Sequence, residues 1–125
     1  MLTVTTNTDG TSGYMKLSVK LVNWIYYDSS VRKRLVIHAH TGIYYMPGPL
    51  VYCKNALKNS GYKFISASRS SIFNADNVVS VNSIFKEVHF RDTDGGKKEK
   101  CEISHNRFDK AMIKLGVYNP GAVIA

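Results

Sequence analysis

The 125-residue chain carries 17 Lys and Arg against 9 Asp and Glu, a net charge of +8, with 44% apolar residues. That length predicts one domain burying roughly two-thirds of its unfolded surface, and the composition excludes general disorder. No apolar run nears the roughly 20 residues of a membrane span, and the start MLTVTTNTDG lacks a basic, apolar leader. A cytoplasmic protein without a membrane partner is expected.

LTVTT has strand texture, and TNTDGTSG is a turn of Asn, Asp, Gly and Ser. YMKLSV alternates in period two, and LVNWIYYD is an apolar, aromatic and β-branched strand. After the basic connection SSVRKR, RLVIHAHTGIYYM predicts a hairpin with Thr41-Gly42 at its turn. Pro47-Gly48-Pro49 breaks the β pattern. Leu50, Cys53 and Leu57 then share one face of a helix over 49–59, stopped at Asn59-Ser60-Gly61. YKFISAS and SSIFNADNVVSVN return to strand. IFKEVHF alternates strictly and faces DGGKKEKCEIS across an Asp-Gly-Gly turn. Phe108, Met112, Ile113 and Leu115 outline a second helix near 107–115 ended by Gly116, and YNPGAVIA is a loosely held tail. The expected fold is mostly β, a stack of short antiparallel sheets with one or two short helices. It forms a single domain over 1–125, with its core at about 14–116 and a tail at 117–125.

The charge is uneven. Residues 1–75 hold nine Lys and Arg against only Asp9 and Asp28, a balance of +7. Such an excess attracts polyanions through field steering and counterion release. Cys53 and Cys101 form no C-x-x-C pair and are expected as reduced, half-buried structural thiols.

Catalytic chemistry lacks material. No nucleophile elbow, phosphate loop or coherent carboxylate pair is present, so no enzyme and no cofactor is expected. His38 and His40 stand at i, i+2 on one strand face, a spacing that can hold metal. No Asp, Glu or Cys lies at ligand spacing beside them, so no metal site is expected. Recognition helices and zinc-finger spacings are also missing, so a reading of DNA, if the chain performs one, must come mainly from loops between strands. Three are equipped: Arg32-Lys33-Arg34, Ser66 to Ser71 with Arg69 among serines, and Ser104-His105-Asn106-Arg107. Arg fits guanine edges and Asn adenine edges, whereas Ser and Lys suit phosphates. Two other classes stay open. A single-stranded nucleic-acid-binding β-barrel would stack bases on Tyr26, Tyr27, Tyr44 and Tyr45, and a protein-interaction module would make no use of the basic loops.

These segments, in their order, resemble the LytTR DNA-binding domain of bacterial regulators from about Leu17 to Leu115. Trp24-Ile25-Tyr26-Tyr27-Asp28 is followed by a basic loop, a hairpin, the helix LVYCKNALKNSGYKF, a second loop, Val78 to Val81, and ISHNRF. The most specific piece is F-x-x-x-x-R-S-x-I-x-N from Phe64 to Asn74. The resemblance implies an elongated stack of antiparallel sheets whose loops enter successive major grooves. It also implies double-stranded DNA as partner, bent and bound by two copies at imperfect direct repeats, with a homodimer formed on DNA. Base contacts would fall at Arg34, Arg69 and Asn106, with Arg32, Lys33, Ser68, Ser70, His105 and Arg107 as DNA-contacting neighbours. Within this motif Ile72 and Asn74 serve the fold while Arg69 faces outward. The chain departs from the family in the first loop, with Arg where His is usual, and at Ser68, which replaces the usual His. It departs again in the third loop, where His-Asn-Arg replaces a more basic pair.

Overall fold

The computed structural model describes residues 1–30, 33–91, 96 and 98–124. In chain order the strands are β1 (Leu2–Val4), β2 (Met15–Leu17), β3 (Val22–Asp28), β4 (Arg34–Ala39) and β5 (Gly42–Pro47). Helix α1 (Leu50–Asn59) precedes β6 (Phe64–Ser68), β7 (Ser71–Asn74), β8 (Val78–Asn82), β9 (Glu87–Phe90) and β10 (Lys100–Glu102). Helix α2 (Phe108–Tyr118) and β11 (Val123–Ile124) close the chain. The strands form a two-stranded sheet, a five-stranded sheet in the order β5-β4-β3-β7-β6, and a four-stranded sheet in the order β10-β9-β8-β11. Among the described residues all strand pairings but β8–β11 are antiparallel, as the short alternating segments predict.

Period-two alternation puts the two faces of the five-stranded sheet into different cores. On one face Val22, Ile25, Leu35, Ile37 and Ile72 pack with Leu50, Cys53 and Leu57 of α1 and with Val4 and Leu17 of the small sheet. On the other, Ile65, Ala67 and Phe73 pack with Val81, Val88 and Cys101 of the four-stranded sheet and Phe108, Ala111 and Leu115 of α2. Full burial of a side chain such as Ile25 or Phe73 contributes roughly 1.5–3 kcal/mol. A bulge at Asn23 shifts the alternation, so Val22 and Ile25 face the first core while Trp24 packs against the second. Helix α1 ends as its sequence dictates. Gly61 takes φ +88°, its amide donates to the Lys58 carbonyl, and the Tyr62 amide donates to the Leu57 carbonyl.

Several expectations need correction. The strand expected from Ile84 begins only at Glu87, because the Asn82 side-chain oxygen accepts from the amides of both Ile84 and Phe85 at 3.0 Å. That Asx-type turn overrides the alternation and leaves Ile84 86% exposed. Gly116 does not end α2, which runs on to Tyr118. The tail is held: Asn119 Nδ2 donates to the carbonyls of Ala75 and Val78, and β11 pairs in parallel with β8. Both cysteines are free and buried, where half-burial was expected. Of the Asp-Gly-Gly turn, Asp94 and Gly95 lie outside the described residues, although the β9–β10 pairing across it is present. Among the described residues no helix is long and apolar enough to cross a membrane.

Candidate nucleic-acid interface

The second loop is the tightest. Ser68 pairs with Ser71, so Arg69 and Ser70 form the two-residue tip of the β6–β7 hairpin, and both are exposed. Three contacts fix this tip. Ser68 Oγ lies 2.6 Å from Ser71 Oγ, the Ser70 amide donates to Ser68 Oγ at 3.2 Å, and the Tyr27 amide donates to the Ser70 carbonyl at 2.8 Å. The Ser68 hydroxyl is thus spent inside the turn, and Arg69 projects from a backbone stitched to the neighbouring strand. Downstream, Ile72 and Asn74 are buried. Asn74 Nδ2 donates to the Val22 carbonyl and its oxygen accepts from the Asp76 amide, so the outward arginine and inward asparagine of the motif sit as its pattern implies.

The third loop adjoins the second. The Ser104 amide donates to the Ala67 carbonyl at 2.7 Å, and His105–Arg107 form one 3-10 turn leading into α2. His105 and Asn106 are exposed, and Arg107 is half-buried. A single hydrogen bond between the last residues of β6 and the loop brings the Arg69 and Asn106 segments to one end of the sheet.

The first loop differs. Arg32 lies outside the described residues. Lys33 is exposed and takes φ +46°, a left-handed step that turns the chain into β4. Arg34 is mostly covered, its side chain 19% exposed. Its Nη2 lies 3.1 Å from Asp28 Oδ2 and its guanidinium carbon 5.3 Å from the Tyr45 ring centre, while its buried Nε has no partner among the described residues. The Ser30 hydroxyl and amide both donate to Asp28, and with the nearby Arg34 charge they hold its carboxyl below the ordinary value despite partial burial. A groove of about 440 Å³ lined by Asp9, Tyr14, Lys33, Arg34 and Tyr45 separates this loop from the N-terminal turn.

Other expected constellations resolve differently. His40 lies in the turn beyond β4 and not on the strand with His38. His38 stacks on Trp24 at 4.4 Å, with Nδ1 3.3 Å from Glu99 Oε1, a carboxylate 61 residues away that spacing alone could not reveal. Tyr44 is buried, Tyr26 stacks on Trp24 at 5.2 Å, and Tyr27 and Tyr45 are half-buried. The four tyrosines therefore do not make an exposed stacking platform.

Reading the loops alone misses one group. Lys54 of α1 donates to Ser66 Oγ of β6 at 2.6 Å. Around this bond Arg107, Lys110 and Lys114 line a cavity of about 120 Å³. The signal was present as Lys54/Lys58 and Lys110/Lys114, two i, i+4 basic pairs on helix faces, but nothing in sequence says that the two faces meet.

Comparison with known proteins agrees with this architecture. The family model described as the LytTr DNA-binding domain matches residues 13–115. A solved structure titled LytTr DNA-binding domain of a putative methyl-accepting/DNA response regulator from Bacillus cereus superposes with a TM-score of 0.60 at 16% identity. That likeness covers 90% of this chain and 93% of that one. A search of curated proteins finds no match. The sheets, the two helices and the matched span together place the chain in the LytTR family, the DNA-binding domains of transcriptional regulators.

Proposed function

We propose that this domain regulates transcription by recognising a specific sequence in double-stranded DNA through its inter-strand loops. The observation that carries the reading is the Arg69 tip: an exposed arginine on a two-residue hairpin, stitched at three points and adjoining the Asn106 loop. A fixed backbone lets a guanidinium meet guanine O6 and N7 with both donors, worth roughly 1–3 kcal/mol of discrimination per base pair. Asn106, exposed on its 3-10 turn, has the amide that suits adenine N6 and N7. Arg34 is the third base reader, its guanidinium oriented by Asp28. Lys33, Ser70, His105 and Arg107 contribute phosphate or neighbouring contacts, and Arg32 is assigned with them from the sequence resemblance alone. Ser68 acts through the turn, since its hydroxyl already has partners there.

Three loops entering successive grooves give one copy a short footprint, which favours two copies on imperfect direct repeats, meeting as a homodimer on DNA. Selection of duplexes from a random pool tests the reading. Enrichment of one repeated motif is expected; an unenriched pool, or tighter binding to single strands of the same sequence, overturns it.

A further inference from the structure

Lys54, Lys58, Arg107, Lys110 and Lys114 come from three separate segments, and among the described residues none has a carboxylate partner. Like charges gathered in a cleft repel one another and raise the local concentration of counter-ions. Burial and then the charges of Lys114, Arg107, Lys58 and Lys110 press the Lys54 ammonium below its ordinary value. A neutralising oxyanion would lift that pressure. The cavity lined by Lys54, Arg107, Lys110 and Lys114 is polar where Ser66 stands and is otherwise lined by Ile65 and Ala111. The place matters as much as the charge. Ser66 lies on β6 three residues before Arg69 at the tip of its hairpin, and Arg107 directly follows Asn106.

We infer that the cleft between α1, β6 and the start of α2 seats one backbone phosphate of the duplex, beside the bases that Arg69 and Asn106 read. This rests on the proposed DNA recognition and adds to it a site outside the loops. The seat registers the duplex against the two reading loops, with Lys110 and Lys114 supplying charge and the Lys54–Ser66 pair a fixed hydrogen-bonding edge. Backbone contacts of this kind position a protein without carrying sequence information.

The test compares the intact domain with Lys110→Gln/Lys114→Gln, whose altered residues are both exposed. Lys16→Gln/Lys20→Gln serves as the control of equal charge. Binding to the selected duplex and to a random duplex of the same length is measured across a salt series, with circular dichroism melts as the check on folding. For Lys110→Gln/Lys114→Gln the slope of log K against log salt should shrink by about 0.9, the value for one phosphate contact. Between 1 M and 0.15 M salt that slope change amounts to a roughly fivefold loss of affinity, expected equally on both duplexes with their ratio unchanged. An unchanged slope, an equal shrinkage in the Lys16/Lys20 control, or a loss confined to the selected duplex overturns the seat while leaving DNA recognition standing. Failure of the unaltered domain to bind any duplex removes the recognition reading, and the seat with it.

Discussion

Arg34 stands at the base of one loop and Arg69 at the tip of its neighbour, and they are built in opposite ways. Arg34 is fixed at its head: Asp28 pairs with the guanidinium and Tyr45 lies under it. Arg69 is fixed at its root: the Ser68–Ser71 contact and the Ser70–Tyr27 bond hold the backbone, and the side chain extends into solvent. For Arg34 the rotamer freedom that a contact would remove is already gone, so it approaches a base with little further ordering but little reach. Arg69 reaches further and must still be ordered on binding, which opposes affinity by roughly 0.5–1.5 kcal/mol. One arginine is an adjusted fixture and the other a probe on a rigid stem.

Substitutions can break that comparison or sharpen it. The largest effect is expected for Arg69→Ala, a tenfold or greater loss of affinity on the selected duplex with random duplex nearly unaffected and the melting temperature unchanged, read by fluorescence anisotropy and circular dichroism. Equal losses on both duplexes would make Arg69 a phosphate clamp. Next comes Arg34→Ala, with a several-fold loss on the selected duplex accompanied by a melting temperature lower by a few degrees, since Asp28 and Tyr45 lose their partner. Asp28→Asn should reproduce much of the binding loss with Arg34 intact; if it changes only the melt, Arg34 holds the fold and does not read a base. Asn106→Ala should cost about threefold on the selected duplex, measured in the same titration, because one amide side chain on a short turn is replaced without disturbing the fold.

The smallest effects concern pH. The Asp28 carboxyl is held below its ordinary 3.8 in the folded state, so its contribution is present above that value and fades only as pH falls through the lowered one. An acid titration of Asp28→Asn should therefore differ from the parent at neutral pH and converge with it only as pH falls from 3.8 through the lowered value. The thiols carry the opposite sign. Burial pushes Cys53 up to about 11 and Cys101 to about 12, from an ordinary 9.0. Stability should then fall as pH climbs from about 9 towards those values, and a thiol reagent at neutral pH should label neither cysteine until the domain unfolds.

Local signals made most of the fold legible. The aromatic run at Val22–Asp28, the β4–β5 hairpin, and α1 with its glycine stop are each specified within one short stretch of sequence. What escaped was decided by partners distant in sequence or by a single competing side chain. Asn82 captured two amides and ended the Ile84 alternation, and Asn119 tied the tail to Ala75 and Val78 across more than 40 residues. In the interface, the exposed positions of Arg69 and Asn106 follow from turn chemistry. The Arg34–Asp28 pairing requires knowing that β3 and β4 are in register, and the basic cleft requires knowing that two helices flank β6.

The strand β7 has a consequence beyond positioning. All four of its residues are buried, and neighbours in sequence serve opposite compartments, with Ile72 in one core and Phe73 in the other. A wall shared by two rooms cannot fall in one alone. Loss of packing on either side withdraws support from the same four residues, so the two halves should melt as one cooperative unit, with a calorimetric enthalpy equal to the van't Hoff value. Amide protons of Ile72 and Phe73 should exchange only through global opening, at the slow extreme of the molecule. Since the Arg69 tip is the near end of that strand, the probing arginine is mounted on the last part of the domain to come apart.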